Sequence, residues 1–139
     1  MKSQVRLLPL SVLVGSLVIS PVMAEQVQIG ESEFKNHCAG CHGLDGQGNG
    51  PFVEFLKKKP PSLTTLARDN QGIFPFQRVY DVIDGTSQIS AHGTRDMPIW
   101  GDRYAMEIIT QYGEYSTVHP QTVRCRILEL VFYLANLQE

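Results

Sequence analysis

Cys38-Ala39-Gly40-Cys41-His42 is the stretch of this 139-residue chain whose residue types and spacing dictate a chemistry. Two thiols three positions apart on a helical turn reach the two vinyl groups along one edge of a porphyrin. A histidine directly after the second thiol then stands under the iron as proximal ligand. Thioether bonds would hold that group irreversibly, and the same turn would fix one strong imidazole. Rival chemistries need partners. A zinc ribbon wants a second ligand pair, and only Cys125 is left over. A thioredoxin-like dithiol wants a βαβ setting, and no strand-rich segment precedes Cys38. The expectation is therefore one covalently attached haem c.

The elements that must position this turn read as short helices joined by wrapped loops. Gly30 opens a segment in which Phe34 and Cys38, four apart, share one side. From Gly43 to Pro51, glycines at 43, 46, 48 and 50 make a loop that cannot be helix. Pro60-Pro61 is a second break, after which Ser62 is placed to cap a short segment from Leu63 to Arg68. Phe76, Val79, Tyr80 and Ile83 keep the helical rhythm, and Gly85 stands where a terminating glycine would. Tyr104, Ile108 and Tyr112 predict another helix, ending at Gly113. Pro120 suits the first turn of a last helix with a stripe of Val123, Ile127, Leu130, Val131 and Leu134. No run alternates as a strand, so the expected class is all-α.

The N-terminus reads as an export signal. Lys2 and Arg6 precede an apolar run of about 13 residues from Leu7 to Ile19, short of the roughly 20 a bilayer span needs. Val22-Met23-Ala24 then offers small residues for cleavage after Ala24. This divides the chain into a signal peptide, 1–24, and one domain, 25–139, with no stable membrane span. Lys2 and Arg6 leave with the signal, so 12 basic residues become 10 against 14 acidic ones, a formal charge of −4. That balance argues against nucleic acid or an anionic membrane surface as main partner.

In order and spacing, these pieces resemble the class I mono-haem cytochromes c of the small, exported bacterial type, over nearly the whole mature chain, from Gly30 to about Leu137. Gly30-x-x-x-Phe34 before Cys38 resembles the family's first helix, whose glycine lets the last helix cross closely. Leu130 and Tyr133 fit the positions that pack there. Gly43 to Pro51 resembles the loop after the attachment site. Pro60-Pro61-Ser62-Leu63 resembles the segment in which a prolyl carbonyl, of Pro60 or Pro61, orients the proximal imidazole. Asp96-Met97-Pro98-Ile99-Trp100-Gly101 resembles the methionine loop, which implies Met97 as sixth ligand and Trp100 near a propionate. Pro98 would stiffen that loop.

Other residues compete for these roles. His92, five residues before Met97, would make a bis-histidine site of lower potential. Met106 falls within a helix and reads as packing, while His37 and His119 have weaker claims. With His42 and Met97 both bound, no open position remains at iron. The resemblance then implies a periplasmic carrier of single electrons between redox protein partners, rather than an enzyme. The alternative is a fixed haem subunit of a periplasmic dehydrogenase or oxidase. A peroxidase or sensor would need a labile Met97.

Two features remain outside that scheme. Cys125, Leu128 and Phe132 form an apolar back face on the last helix, for which the Glu114 to Pro120 loop is a candidate cover. Cys125, the odd cysteine of an exported chain, implies a free thiol or a disulfide-linked dimer. Lys57-Lys58-Lys59 is the single basic cluster, either a solvated helix end or a surface that steers an acidic partner.

Overall fold

The computed structural model describes residues 22–86, 97–113 and 119–139, with side chains from Gln28 onward except that of His119. Five α-helices follow in chain order: α1 (Val22–His37), α2 (Ala39–His42), α3 (Phe76–Asp84), α4 (Trp100–Tyr112) and α5 (His119–Asn136). Single 3₁₀ turns lie at Val53–Phe55 and Arg68–Asn70, and no strand occurs among the described residues. The chain is all-α, as its periodicity predicts.

Packing centres on the crossing of α1 and α5. A side chain at Gly30 would strike the carbonyl of Glu129 and lie 2.9 Å from Tyr133 Cβ, so the bare glycine lets the two backbones meet. Phe34, one turn on, is fully buried with its ring 5.3 Å from that of Tyr133. The expected stripe of α5 forms the other wall, with Val123, Ile127, Leu130, Val131 and Leu134 all buried. Each such side chain removed from water contributes about 2 kcal/mol. Val79 and Ile83 of α3 and Tyr104 and Ile108 of α4 close the core.

Both predicted glycine stops hold. Gly85 ends α3 with its N–H on Asp81 O, and Gly113 ends α4 with its N–H on Ile109 O. Gly101 lets the start of α4 approach the end of α3, since a Cβ there would stand 2.6 Å from Asp84 O.

The structure departs from expectation at four places. α1 starts at Val22, well before Gly30, because nothing from Val22 to Ile29 breaks a helix. It therefore runs across the expected cleavage point after Ala24. The segment after Pro61 forms turns and a 3₁₀ turn instead of a helix, and Ser62 Oγ accepts the Thr64 N–H at 3.3 Å. Met106 is on a helix but is 63% exposed, so it packs against nothing in the core. The lysine cluster follows the Val53–Phe55 turn as an exposed bend and is not a helix end. On the back face of α5, Phe132 is met by Phe76 at 5.4 Å, while residues 114–118 of the suggested cover lie outside the described residues.

Candidate cofactor site

The attachment turn is a continuation of α1 with one break. Cys38 N–H still reaches Phe34 O at 2.9 Å, and Cys41 and His42 N–H groups both turn back to Cys38 O at 3.1 and 2.9 Å. Both thiols thus sit on one turn, free and half-buried, with His42 next in line. The two residues between them are small for a visible reason. The following loop is strapped across them by Phe52 N–H to Gly40 O at 2.9 Å, Gly50 N–H to Cys41 O at 3.2 Å and Gly48 N–H to His42 O at 2.7 Å. A Cβ on Gly40 would stand 2.9 Å from the Phe52 ring. Asp45 ties the loop internally, accepting from Gln47 N–H and Asn49 Nδ2, each at 3.0 Å.

Electrostatics at the turn favours neutral groups. Burial, then the charges of Glu33 and Cys41, push the Cys38 thiol up to about 12. Reactive dithiols do the opposite, with a lowered thiol pKa, so the redox-pair reading of the pentapeptide loses support. Burial also lowers the His42 pKa, and the Pro61 carbonyl partly restores it. Nδ1 of His42 is buried, and that carbonyl influences it without meeting full hydrogen-bond geometry, which leaves Nδ1 formally unpartnered. Of the two prolines left open by the sequence, the Pro61 carbonyl is the one that raises the His42 pKa, and the carbonyls of both Pro60 and Pro61 crowd Gly48.

Met97 is half-buried against the same core cluster as Cys38. Three residues later Trp100 begins α4, buried at 7% exposure. Its ring lies 5.4 Å from His37, 5.7 Å from Tyr104 and 5.2 Å below the Arg103 guanidinium. Trp100 is thereby tied to His37, the residue before Cys38. His37 itself is engaged by the rings of Trp100 and Tyr104 and stands 3.5 Å from Glu33. His92 and Asp96 lie outside the described residues, as does the side chain of His119.

Sequence reasoning passed over the polar groups that brace this assembly. Glu33 of α1 and Arg126 of α5 pair beside Tyr104, whose buried hydroxyl makes no well-formed hydrogen bond and whose pKa is driven upward by burial first and by Glu33 second. Gln138 and Glu139 fasten the segment after Pro61. Of the clefts present, one of about 340 Å³ borders the turn at Ala39, Gly43 and Pro51. A larger one of about 750 Å³ between α3, α4 and α5 touches none of Cys38, Cys41, His42 or Met97.

The donor set fits a thioether-held porphyrin. Two free thiols share a turn, and a half-buried imidazole with a lowered pKa follows, its Nδ1 shielded from water. Among the described residues no group of three or more His, Cys, Asp or Glu is arranged to hold a metal ion unaided, which disfavours a zinc cage. None of their helices is long and apolar enough to cross a membrane. A protein-family model described as cytochrome c oxidase, cbb3-type, subunit III matches residues 25–115, well over half of the chain. No curated protein and no solved structure matches significantly.

Proposed function

Because the chain belongs to the cytochrome c family of cbb3-type oxidase subunit III, and so carries a domain for haem-based electron transfer, we propose that it is an exported mono-haem cytochrome with histidine–methionine ligation. Cys38 and Cys41 are its thioether anchors, His42 the proximal ligand and Met97 the distal one. When bound, the haem supplies one-electron exchange at iron. The chain's own residues do the rest. The turn from Cys38 to His42 fixes the imidazole, and Pro61 biases it toward stronger donation. The Met97 thioether, a soft neutral ligand, favours the reduced state and raises the potential. Trp100 offers its indole N–H toward a propionate. Leu44, Phe52 and Phe55, exposed beside the attachment turn, give an apolar rim for a redox protein partner, and Lys57–Lys59 follow it directly.

The observation that carries this reading is the single turn holding Cys38, Cys41 and a half-buried His42 whose Nδ1 is shielded from water and whose pKa is held down. The test is an optical spectrum of the purified haem-loaded protein, ferric and then ferrous with carbon monoxide, beside Met97→Ala. A weak far-red ferric band, lost in the variant, with no carbon monoxide shift in the wild type, is expected. A carbon monoxide shift in the wild type would mean a labile sixth ligand and sink the carrier reading. A low potential without the far-red band would move the ligand to His92.

Export follows from the N-terminal pattern, with cleavage after Ala24 and a periplasmic mature protein. An intact-mass measurement of the periplasmic product checks both. The second reading, a fixed haem subunit of an oxidase, is favoured by the oxidase-subunit family to which the matching model belongs. Co-purification with a stoichiometric partner would select it over a free carrier. Cys125, exposed on α5, supports a disulfide-linked dimer, which non-reducing gels of the air-oxidised protein test.

A further inference from the structure

The residues from Ser62 to Ala67 form turns only, so their backbone groups find no helical ladder and need partners from elsewhere. Gln138 provides them. Its Nε2 donates to Leu63 O at 2.8 Å and to Leu134 O at 2.7 Å, and its Oε1 accepts the Ala67 N–H at 2.9 Å. One amide thus bridges the end of α5 to both ends of the turn segment. Glu139 adds its own N–H to Thr64 O at 2.9 Å and accepts from Thr64 Oγ1 at 3.0 Å. Thr64 is the one polar side chain buried in the core among the described residues.

The other side of this segment meets the glycine loop that follows His42. Leu63 N–H donates to Gly46 O at 2.7 Å, and Gly48, crowded by the carbonyls of Pro60 and Pro61, donates its N–H to His42 O at 2.7 Å. Pro61, two residues before Leu63, brings its carbonyl oxygen 3.2 Å from where a Gly48 side chain would begin, on the loop residue that bonds His42 O, and that carbonyl also acts on the imidazole. A continuous run of contacts leads from Gln138 through Leu63 to Pro61 and the glycine loop, and from both to His42.

We infer that Gln138 is a positioning residue for the proximal ligand, holding the Pro61 carbonyl in register with His42 and so setting the potential of the iron. This rests on His42 being an axial ligand. Gln138 touches neither the imidazole nor the cofactor anchors in the contacts above. It acts by anchoring the segment that carries the carbonyl. Without it the carbonyl drifts, the imidazole donates less, the ferric state loses stabilisation and the potential rises.

The test uses the haem-loaded full chain as Q138M and Q138E. Methionine keeps the length and loses all three hydrogen bonds. Glutamate keeps an oxygen for the Ala67 N–H and loses both donations. The readouts are the midpoint potential and solvent exchange of the His42 Nδ1–H, followed by NMR in the reduced state. Q138M is expected to raise the potential and to speed that exchange by about tenfold, the order by which losing an outer-shell partner lowers metal affinity. Q138E shifts both in the same sense by less. V123A, which removes core methyls near the opposite end of α5, supplies a destabilised control and moves neither. Wild-type potential and exchange in both Gln138 variants would overturn the inference, as would equal shifts in V123A. A wild-type protein lacking any signature of ligated His42 would instead overturn the reading of the site, and the role of Gln138 with it.

Discussion

Arg126 of α5 holds Glu33 of α1 with three hydrogen bonds of 2.9, 3.0 and 3.1 Å, and its remaining nitrogen reaches Glu107 of α4 at 2.8 Å. The guanidinium also lies 3.9 Å over the ring of Tyr104. One side chain therefore joins three helices, and its carboxylate partner stands 3.5 Å from His37, the residue that leads into Cys38. Neither partner is well solvated, at 21% and 17% side-chain exposure. This is the polar brace of an otherwise apolar crossing, and it lies one helical turn before the attachment site.

Removing the cation alone is expected to be costly. Arg126→Met leaves Glu33 half-buried without its partner and close to Glu129, whose carboxyl is already pushed up by burial first and by Glu33 second. The expected loss is about 2 kcal/mol, below the cost for a fully buried pair because some solvent remains. The double variant Arg126→Met/Glu33→Gln removes the stranded charge and recovers part of that loss. Guanidinium unfolding of both variants checks the order; equal stabilities would mean the charge is well screened.

Gly30→Ala probes the crossing itself. The new methyl meets the Glu129 carbonyl and Tyr133 Cβ, so α1 and α5 must separate. Backbone cannot swing aside as a long side chain does, which puts the cost near the upper end of overpacking, about 3 kcal/mol. The loss appears as a lower thermal midpoint, and a wild-type midpoint would show that the helices do not meet there.

Which of these features the sequence discloses depends on how local they are. The attachment pentapeptide, the stops at Gly85 and Gly113 and the α5 stripe are written in consecutive residues, and each is found where its pattern predicts. The Gly30 crossing was legible through the family resemblance, in which a first-helix glycine leaves room for the last helix. Glu33 and Arg126 are 93 positions apart, and nothing near either marks it as the partner of the other. Gln138 and Leu63 are likewise 75 apart, and glutamine is a residue type found on any surface. Met106 misled because helical phase, not residue type, decided its exposure. The segment after Ser62 forms turns instead of the expected helix although Ser62 Oγ accepts the Thr64 N–H as a cap would, and its backbone groups are taken up by Gln138 and Glu139 from the far end of the chain.

Alkylation should separate the three cysteines. Cys125 is exposed, whereas burial, Glu33 and Cys41 push Cys38 up to about 12, so almost none of it is thiolate at pH 8. In the chain before haem attachment, iodoacetamide is expected to label Cys125 first and Cys38 last. In the haem-loaded protein Cys125 alone should react. Peptide mass mapping gives the order, and early labelling of Cys38 would mean that its turn is not packed against the core as described.

The haem-free chain should also lose stability in mild acid, with His42 as the source. Burial holds its folded pKa below the ordinary histidine value, and the Pro61 carbonyl offsets only part of that shift. A base with a lowered folded pKa binds fewer protons when folded, so stability rises with pH. The full contribution is present above the unfolded value of about 6.5 and drains away as pH falls from there toward the folded pKa. Urea midpoints of haem-free protein between pH 8 and pH 5 should therefore fall, and His42→Phe, which cannot titrate, should flatten the part of the slope that His42 supplies. In the haem-loaded protein the slope should flatten too, because an imidazole bound to iron is not available to protons over this range. An unchanged slope in His42→Phe would assign the acid sensitivity to other groups and remove the argument that His42 is kept neutral for ligation.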